Sequence, residues 1–136
     1  MTTSGLRVAL FASALMLGCS QQPAVEGLRD SFAGQLGANQ FVKDFKRNGD
    51  ELTFSGPGAD GGTAQWRVTI DSSVVEANDN QAQPYKGTVK SSWYSDGRPI
   101  QPAGRNSNLP IELMSNGLSQ DCWAFWDKSS QRWTWE

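Results

Sequence analysis

After Leu36 the apolar residues of this chain change their spacing from three-and-four to two. Before that point Val25, Leu28, Phe32 and Leu36 recur at the helical interval, with Glu26, Arg29, Asp30 and Gln35 between them. The spacing predicts one amphipathic helix beginning at Val25. Pro23 precedes it, where proline is tolerated, and Gly37 with Asn39 supplies a stop signal. A lone helix this short is marginal in water, so its single apolar stripe requires a partner surface. The alternating sequence downstream supplies a sheet.

Phe41, Lys43 and Phe45 alternate up to Asn48-Gly49, and Leu52 and Phe54 resume the pattern. Asn-Gly between alternating apolar residues is a strong hairpin signal, because a type I′ turn needs two residues with positive φ. With those two residues as the loop, Arg47 faces Asp50, Lys46 faces Glu51 and Phe45 faces Leu52, a register that opposite charges favour. The loop "SGPGADGG" follows, and then Trp66, Val68 and Ile70 mark a half-wet strand over Gln65–Asp71 that continues irregularly through Val74 and Val75. Another strand runs from Tyr85 to Tyr94, turns at Asp96-Gly97 and returns at Arg98, Pro99 and Ile100, where Pro99 and Pro102 confine it to an edge. Leu109 to Met114 is too short to assign as strand or helical turn, and "CWAFWDKSSQRWTWE" closes the chain as a hairpin. The fold class this predicts is α+β, an N-terminal helix packed on a twisted antiparallel sheet of about six strands. A small β-barrel or sandwich plugged by the helix is the alternative. Helix first and hairpins after is similar, in element order alone, to the cystatin-like and NTF2-like arrangement of a sheet wrapped around a helix.

Ahead of the helix, Arg7 precedes the apolar run Val8 to Leu17, which ends in "LMLGCS". A membrane-spanning helix needs about 20 apolar residues, whereas a secretory h-region needs roughly 7 to 15 behind a positive charge. Export is therefore expected. With Gly18 before Cys19, these residues resemble the lipobox of bacterial lipoproteins, although Met16 stands where that pattern prefers leucine and Leu17 where it prefers a small residue. The resemblance implies cleavage before Cys19, acylation of its sulfur and amine, and anchoring in the membrane. Ser20, in place of an aspartate, is similar to the sorting rule for the outer membrane. Residues 1–18 are then a signal peptide, 19–24 the lipidated cysteine and a short tether, and 25–136 a single globular domain. An ordinary signal peptide with a chance cysteine, or a buried N-terminal helix, are the alternatives. Four or five extended residues reach on the order of 15 to 20 Å, so the domain is expected to lie close to the membrane surface.

Loss of residues 1–18 leaves 118 residues, with eleven basic against fourteen acidic side chains and a net charge of −3. That size buries roughly two-thirds of the unfolded surface in one core. The mild acidic balance lacks the clustered Lys and Arg of a nucleic-acid footprint. With Cys19 lipidated, Cys122 is the remaining thiol, which excludes an internal disulfide and a zinc site and favours a small buried residue over a reactive one. The chain has no histidine, which removes the commonest general base and the commonest metal ligand. The glycine-rich loop has no lysine and leads into a strand, unlike a phosphate loop. Glu76 to Asn80 lacks the ligand spacing of a calcium loop. Neither a cofactor nor a metal is expected. Carboxylates at Asp71, Glu76, Glu112 and Asp121 are candidates for glycoside hydrolysis, but nothing in the sequence pairs them.

The unusual supply is tryptophan: Trp66, Trp93, Trp123, Trp126, Trp133 and Trp135, four of them in the last fourteen residues. Such side chains fill a small core as cross-strand pairs. Exposed, they form a recognition surface for a glycan or protein, and Trp93, Trp126, Trp133 and Trp135 are the candidate contacts. In the closing hairpin Trp123 and Phe125 share one face while Ala124 and Trp126 share the other. The leading expectation is a lipid-anchored, non-enzymatic cell-envelope protein that binds or inhibits an envelope component. A lipid-tethered hydrolase using carboxylates and a structural subunit of an envelope complex are the alternatives.

Overall fold

A computed structural model describes residues 22–100, 102–103, 106–107 and 109–136. The segment expected to be a signal peptide, Cys19 and the start of the expected tether lie outside the described residues. Helix α1 spans Val25–Gly37 and buries Leu28, Phe32, Ala33 and Leu36, while Val25 is only half-buried. No side chain caps its start. At its end Asn39 acts as the stop: the buried amide accepts the Phe41 N–H at 2.8 Å and donates to the Glu112 carbonyl at 3.0 Å. Gly37 is still helical and serves another purpose, since a Cβ there would lie 3.0 Å from the Phe45 ring.

Strands β1 (Lys43–Asn48) and β2 (Glu51–Pro57) form the first hairpin, with Asn48 opposite Glu51 and Arg47 opposite Leu52. The two-residue loop is therefore Gly49-Asp50, one position later than expected, and the Arg47–Asp50 and Lys46–Glu51 pairs do not form. In this register Gly49 alone takes a positive φ, +64°, and Asp50 is spared the left-handed region. The Asp50 carbonyl accepts the Ile70 N–H at 2.9 Å. Arg47 instead reaches Asp30 of the helix at 2.8 Å, and Glu51 lies 3.8 Å from Arg67.

Strand β3 (Thr63–Ala77) directs Ala64, Trp66, Val68 and Ile70 inward. Its pairing with β4 (Tyr85–Ser95) slips between Ile70 and Ser72, a bulge at Asp71 that moves the inward phase to Ser73 and Val75. Arg29 fastens the helix across this bend, donating to Ser73 Oγ at 2.7 Å and lying 3.6 Å from Asp50. Asp96 and Gly97, both at positive φ, lead into β5 (Arg98–Pro99), which pairs only with Tyr94 and Ser95, as the edge prolines predict. The polar loop expected next contains a small separate hairpin, β6 (Pro102–Ala103) with β7 (Asn106–Ser107). Ile111–Met114 is a 3₁₀ turn that buries Leu113. Strands β8 (Asp121–Asp127) and β9 (Arg132–Trp135) are the closing hairpin.

The strands lie in the order β9-β8-β4-β3-β2-β1, all antiparallel, with β5 beside the far end of β4. The sheet curls into a half-barrel around α1, which is the expected α+β architecture. It stays open, with β9 and β1 at its edges.

Candidate functional site

Three of the six tryptophans, Trp66, Trp93 and Trp123, are placed by strand alternation before any question of binding arises. Trp66 and Trp93 are core residues, 2% and 1% exposed, packed with Phe54 at ring separations of 6.0 to 6.3 Å. Their indole N–H groups donate inside the protein, to the Pro57 carbonyl at 3.0 Å and to Ser91 Oγ at 2.8 Å. Trp93 thus presents no surface to a partner, contrary to its place among the candidate contacts. It occupies the inward phase of β4 with Gly87, Val89 and Ser91. Trp123 points outward and is 37% exposed, with the Lys86 ammonium 5.3 Å from its ring centroid. It is the tryptophan on the wet face and was not among the candidate contacts, because the alternation of β8 alone does not say which of its faces turns outward.

Trp126, Trp133 and Trp135 converge on the inner face beside the helix. Trp126 and Trp133 stand opposite each other across β8 and β9 and meet edge to face at 5.3 Å. Trp135 packs its ring edge-on to Phe32 at 5.7 Å and donates its N–H to Ser31 Oγ at 2.9 Å. Trp133 is 9% exposed, and its indole N–H is buried without an acceptor.

The facing helix wall is built from small residues. Ala24, Gly27, Ser31 and Gly34 follow one another at helical spacing beside the Leu28, Phe32 and Leu36 stripe. The result is a groove of about 710 Å³ between α1 and the closing hairpin. The Gln35 amide donates to the Asn116 carbonyl at 3.1 Å and the Asn116 amide donates to the Gln35 carbonyl at 2.9 Å, which ties the helix to the loop at one end. Pro23 and Ala24 stand at the other. Asp30 and Arg132 also line the groove; Asp30 is paired with Arg47, whereas Arg132 has no ion-pair partner among the described residues.

Glycine inside a helix costs up to about 1 kcal/mol relative to alanine. At Gly27 and Gly34 no neighbouring atom lies within 4 Å of an added Cβ, so packing does not require either glycine. Gly34→Ala should therefore raise stability by about 0.5 to 1 kcal/mol. A urea unfolding midpoint at or below that of the wild type would contradict the open wall.

None of the carboxylates Asp71, Glu76, Glu112 and Asp121 lines this groove. Asp71 accepts from Ser92 and Thr69 on the outer face of the sheet. Among the described residues there is no cluster of three or more metal-ligating side chains. The Gly58–Gly62 turn is closed by its own backbone, with the Asp60 carboxylate accepting the Gly62 N–H at 2.9 Å. Asn80 similarly organises its own turn, accepting the Ala82 N–H at 2.9 Å.

Cys122 is buried on β8, and desolvation pushes its thiol up from the ordinary 9.0 to about 11, despite a lowering hydrogen bond at Ser119. The native thiol should resist labelling at pH 8 and react rapidly once the chain is unfolded; equal rates would refute its inertness. Because the folded pKa is raised, the unfolded thiol ionises first, so stability should decline between pH 9 and 11. Cys122→Ala should remove that decline. At the hairpin turn, hydrogen bonds from the Ser129 and Ser130 side chains hold the Asp127 carboxyl below its ordinary pKa.

Compared with protein families, with curated proteins and with solved structures, the chain matches none of them. Among the described residues no helix is long and apolar enough to cross a membrane.

Proposed function

We propose that this is a lipid-anchored, non-enzymatic protein of the cell envelope, in the outer membrane where the host has one, that holds a partner in the groove between α1 and the closing hairpin. The observation that carries this reading is the pair of helix glycines, Gly27 in the first turn and Gly34 in the interior, left open opposite Trp126 and Trp133. A helix selected for packing alone gains by replacing them, so a role for the empty space accounts for their presence. Pro23, at the groove's free end, is four residues from Cys19 in the sequence, which supports a groove that opens close to the proposed anchor. A binding role is supported by the lining itself: among the described residues Asp30 is its one carboxylate, and that carboxylate is engaged by Arg47.

Anchoring rests on Cys19. Several acyl chains on one cysteine, each buried CH₂ worth about 0.8 kcal/mol, make attachment effectively permanent. Palmitate fed to the host should label the wild-type protein and leave Cys19→Ser unlabelled, with the variant held as precursor or released. Equal labelling, or a wild-type protein recovered wholly in the soluble fraction, would overturn the anchor. The groove has a separate test: Gly27→Leu should abolish association with the envelope partner while leaving the domain folded.

A further inference from the structure

The two edges of the sheet are not alike. β1 carries Lys43, Lys46 and Arg47 and is kinked at Asp44, whose φ is +55°. Charges and a bulge are the usual protection of an edge against another strand. β9 has only Arg132 and no bulge, and it borders the groove. The Glu136 N–H donates to the Trp123 carbonyl at 3.2 Å, and these residues stand opposite each other in the register. By antiparallel alternation, Arg132 and Thr134 also turn their main-chain groups toward β8, whereas Trp133 and Trp135 turn theirs to the open side. Gly117 packs against the Trp135 end, where its Cβ would lie 3.2 Å from the Trp135 carbonyl carbon. That leaves the Trp133 main chain as the open position at the groove.

Building on the reading of the groove as a recognition site, we propose that it takes an extended peptide segment, which pairs with the edge of β9 at Trp133 and lays alternate side chains over Gly27, Ser31 and Gly34. Strand addition uses main-chain hydrogen bonds for affinity and pockets for alternate side chains for specificity, and both are present here. The buried Trp133 indole N–H, which lacks an acceptor, adds a donor for the segment's carbonyl or hydroxyl groups. Arg132, the lining cation with no ion pair among the described residues, selects an acidic residue, since Asp30 is already engaged by Arg47. A saccharide fits less well, because it requires an open ring face. Trp133 is buried, Trp135 is set against Phe32, and Trp126 is packed on Trp133.

The test is an NMR titration of the ¹⁵N-labelled domain with acetylated, amidated hexapeptides carrying one glutamate among valine, threonine, alanine and leucine. A chito-oligosaccharide serves as the second probe. Peptide should shift the Trp133 amide, the Trp126 and Trp133 indole signals and the Gly27 and Gly34 amides, with weak affinity because the open edge is short. Gly34→Leu should weaken binding about tenfold or more by filling the slot, with the rest of the spectrum retained. Methylating alternate peptide nitrogens should also abolish it. Peptide shifts elsewhere in the domain, or binding indifferent to both changes, would overturn strand addition. Groove shifts with the saccharide alone would overturn the peptide assignment and leave the groove a recognition site. No response to either probe would overturn both.

Discussion

Trp93→Ala should cost the domain about 3 to 5 kcal/mol, the usual price of truncating a buried large aromatic side chain. Its ring meets Phe54 and Trp66 at 6.3 and 6.0 Å, so the cavity opens at the centre of an aromatic cluster. Trp93 is 1% exposed and sits on β4, between β3 and strands β5 and β8, where collapse of neighbours into the void is limited by pairing on both sides. Ser91 Oγ also loses the indole donor that lies 2.8 Å away. Urea unfolding with an unchanged slope would measure the loss. A midpoint close to that of the wild type would show that Trp93 is not a core residue.

Gly87→Val should be destabilising by about 1 to 3 kcal/mol through overpacking. Even the first carbon of the new side chain would lie 2.6 Å from Leu28 Cδ1 and 3.1 Å from Trp133 Cζ3. Both neighbours are buried, so neither can swing into solvent, and the helix must lift from β4. Adding Leu28→Ala should restore part of the loss, because the two changes share one space and couple. Strict additivity of the two, or a neutral single variant, would show that the helix does not rest on Gly87.

The contrast between these positions shows which parts of the structure were legible beforehand. Leu28, Phe32 and Leu36 announced the buried helix stripe by spacing, and all three are fully buried. Asp96-Gly97 announced its turn through local chemistry alone. The first hairpin was displaced by one residue because Asn48-Gly49 and Gly49-Asp50 are both plausible loops, and the choice was made by contacts to Asp30 and Ile70, distant in sequence. Trp93 was ambiguous because an inward tryptophan and a ligand-binding one look identical until the strand's neighbours are known. The groove was hidden for another reason. In a helical pattern, Gly27 and Gly34 register only as weak helix formers, and the space they leave has meaning only once β8 and β9 are seated opposite. The adjacency of β8 to β4 rests on pairing such as Val89 with Cys122, a non-local contact that no local propensity encodes.

The bulge at Asp71 makes β3 a strand with two pleats out of step. Losing any other residue in the first half would turn every following side chain over, sending Val75 into water and Val74 inward. Losing Asp71 itself would bring Ile70 and Ser72 into ordinary succession and leave all the faces as they are. What would vanish is the bend. Asp71 is thus a residue whose absence the hydrophobic pattern tolerates and the curvature does not: without it the sheet would flatten, carrying β8 and β9 away from α1 and spreading the two walls of the groove apart.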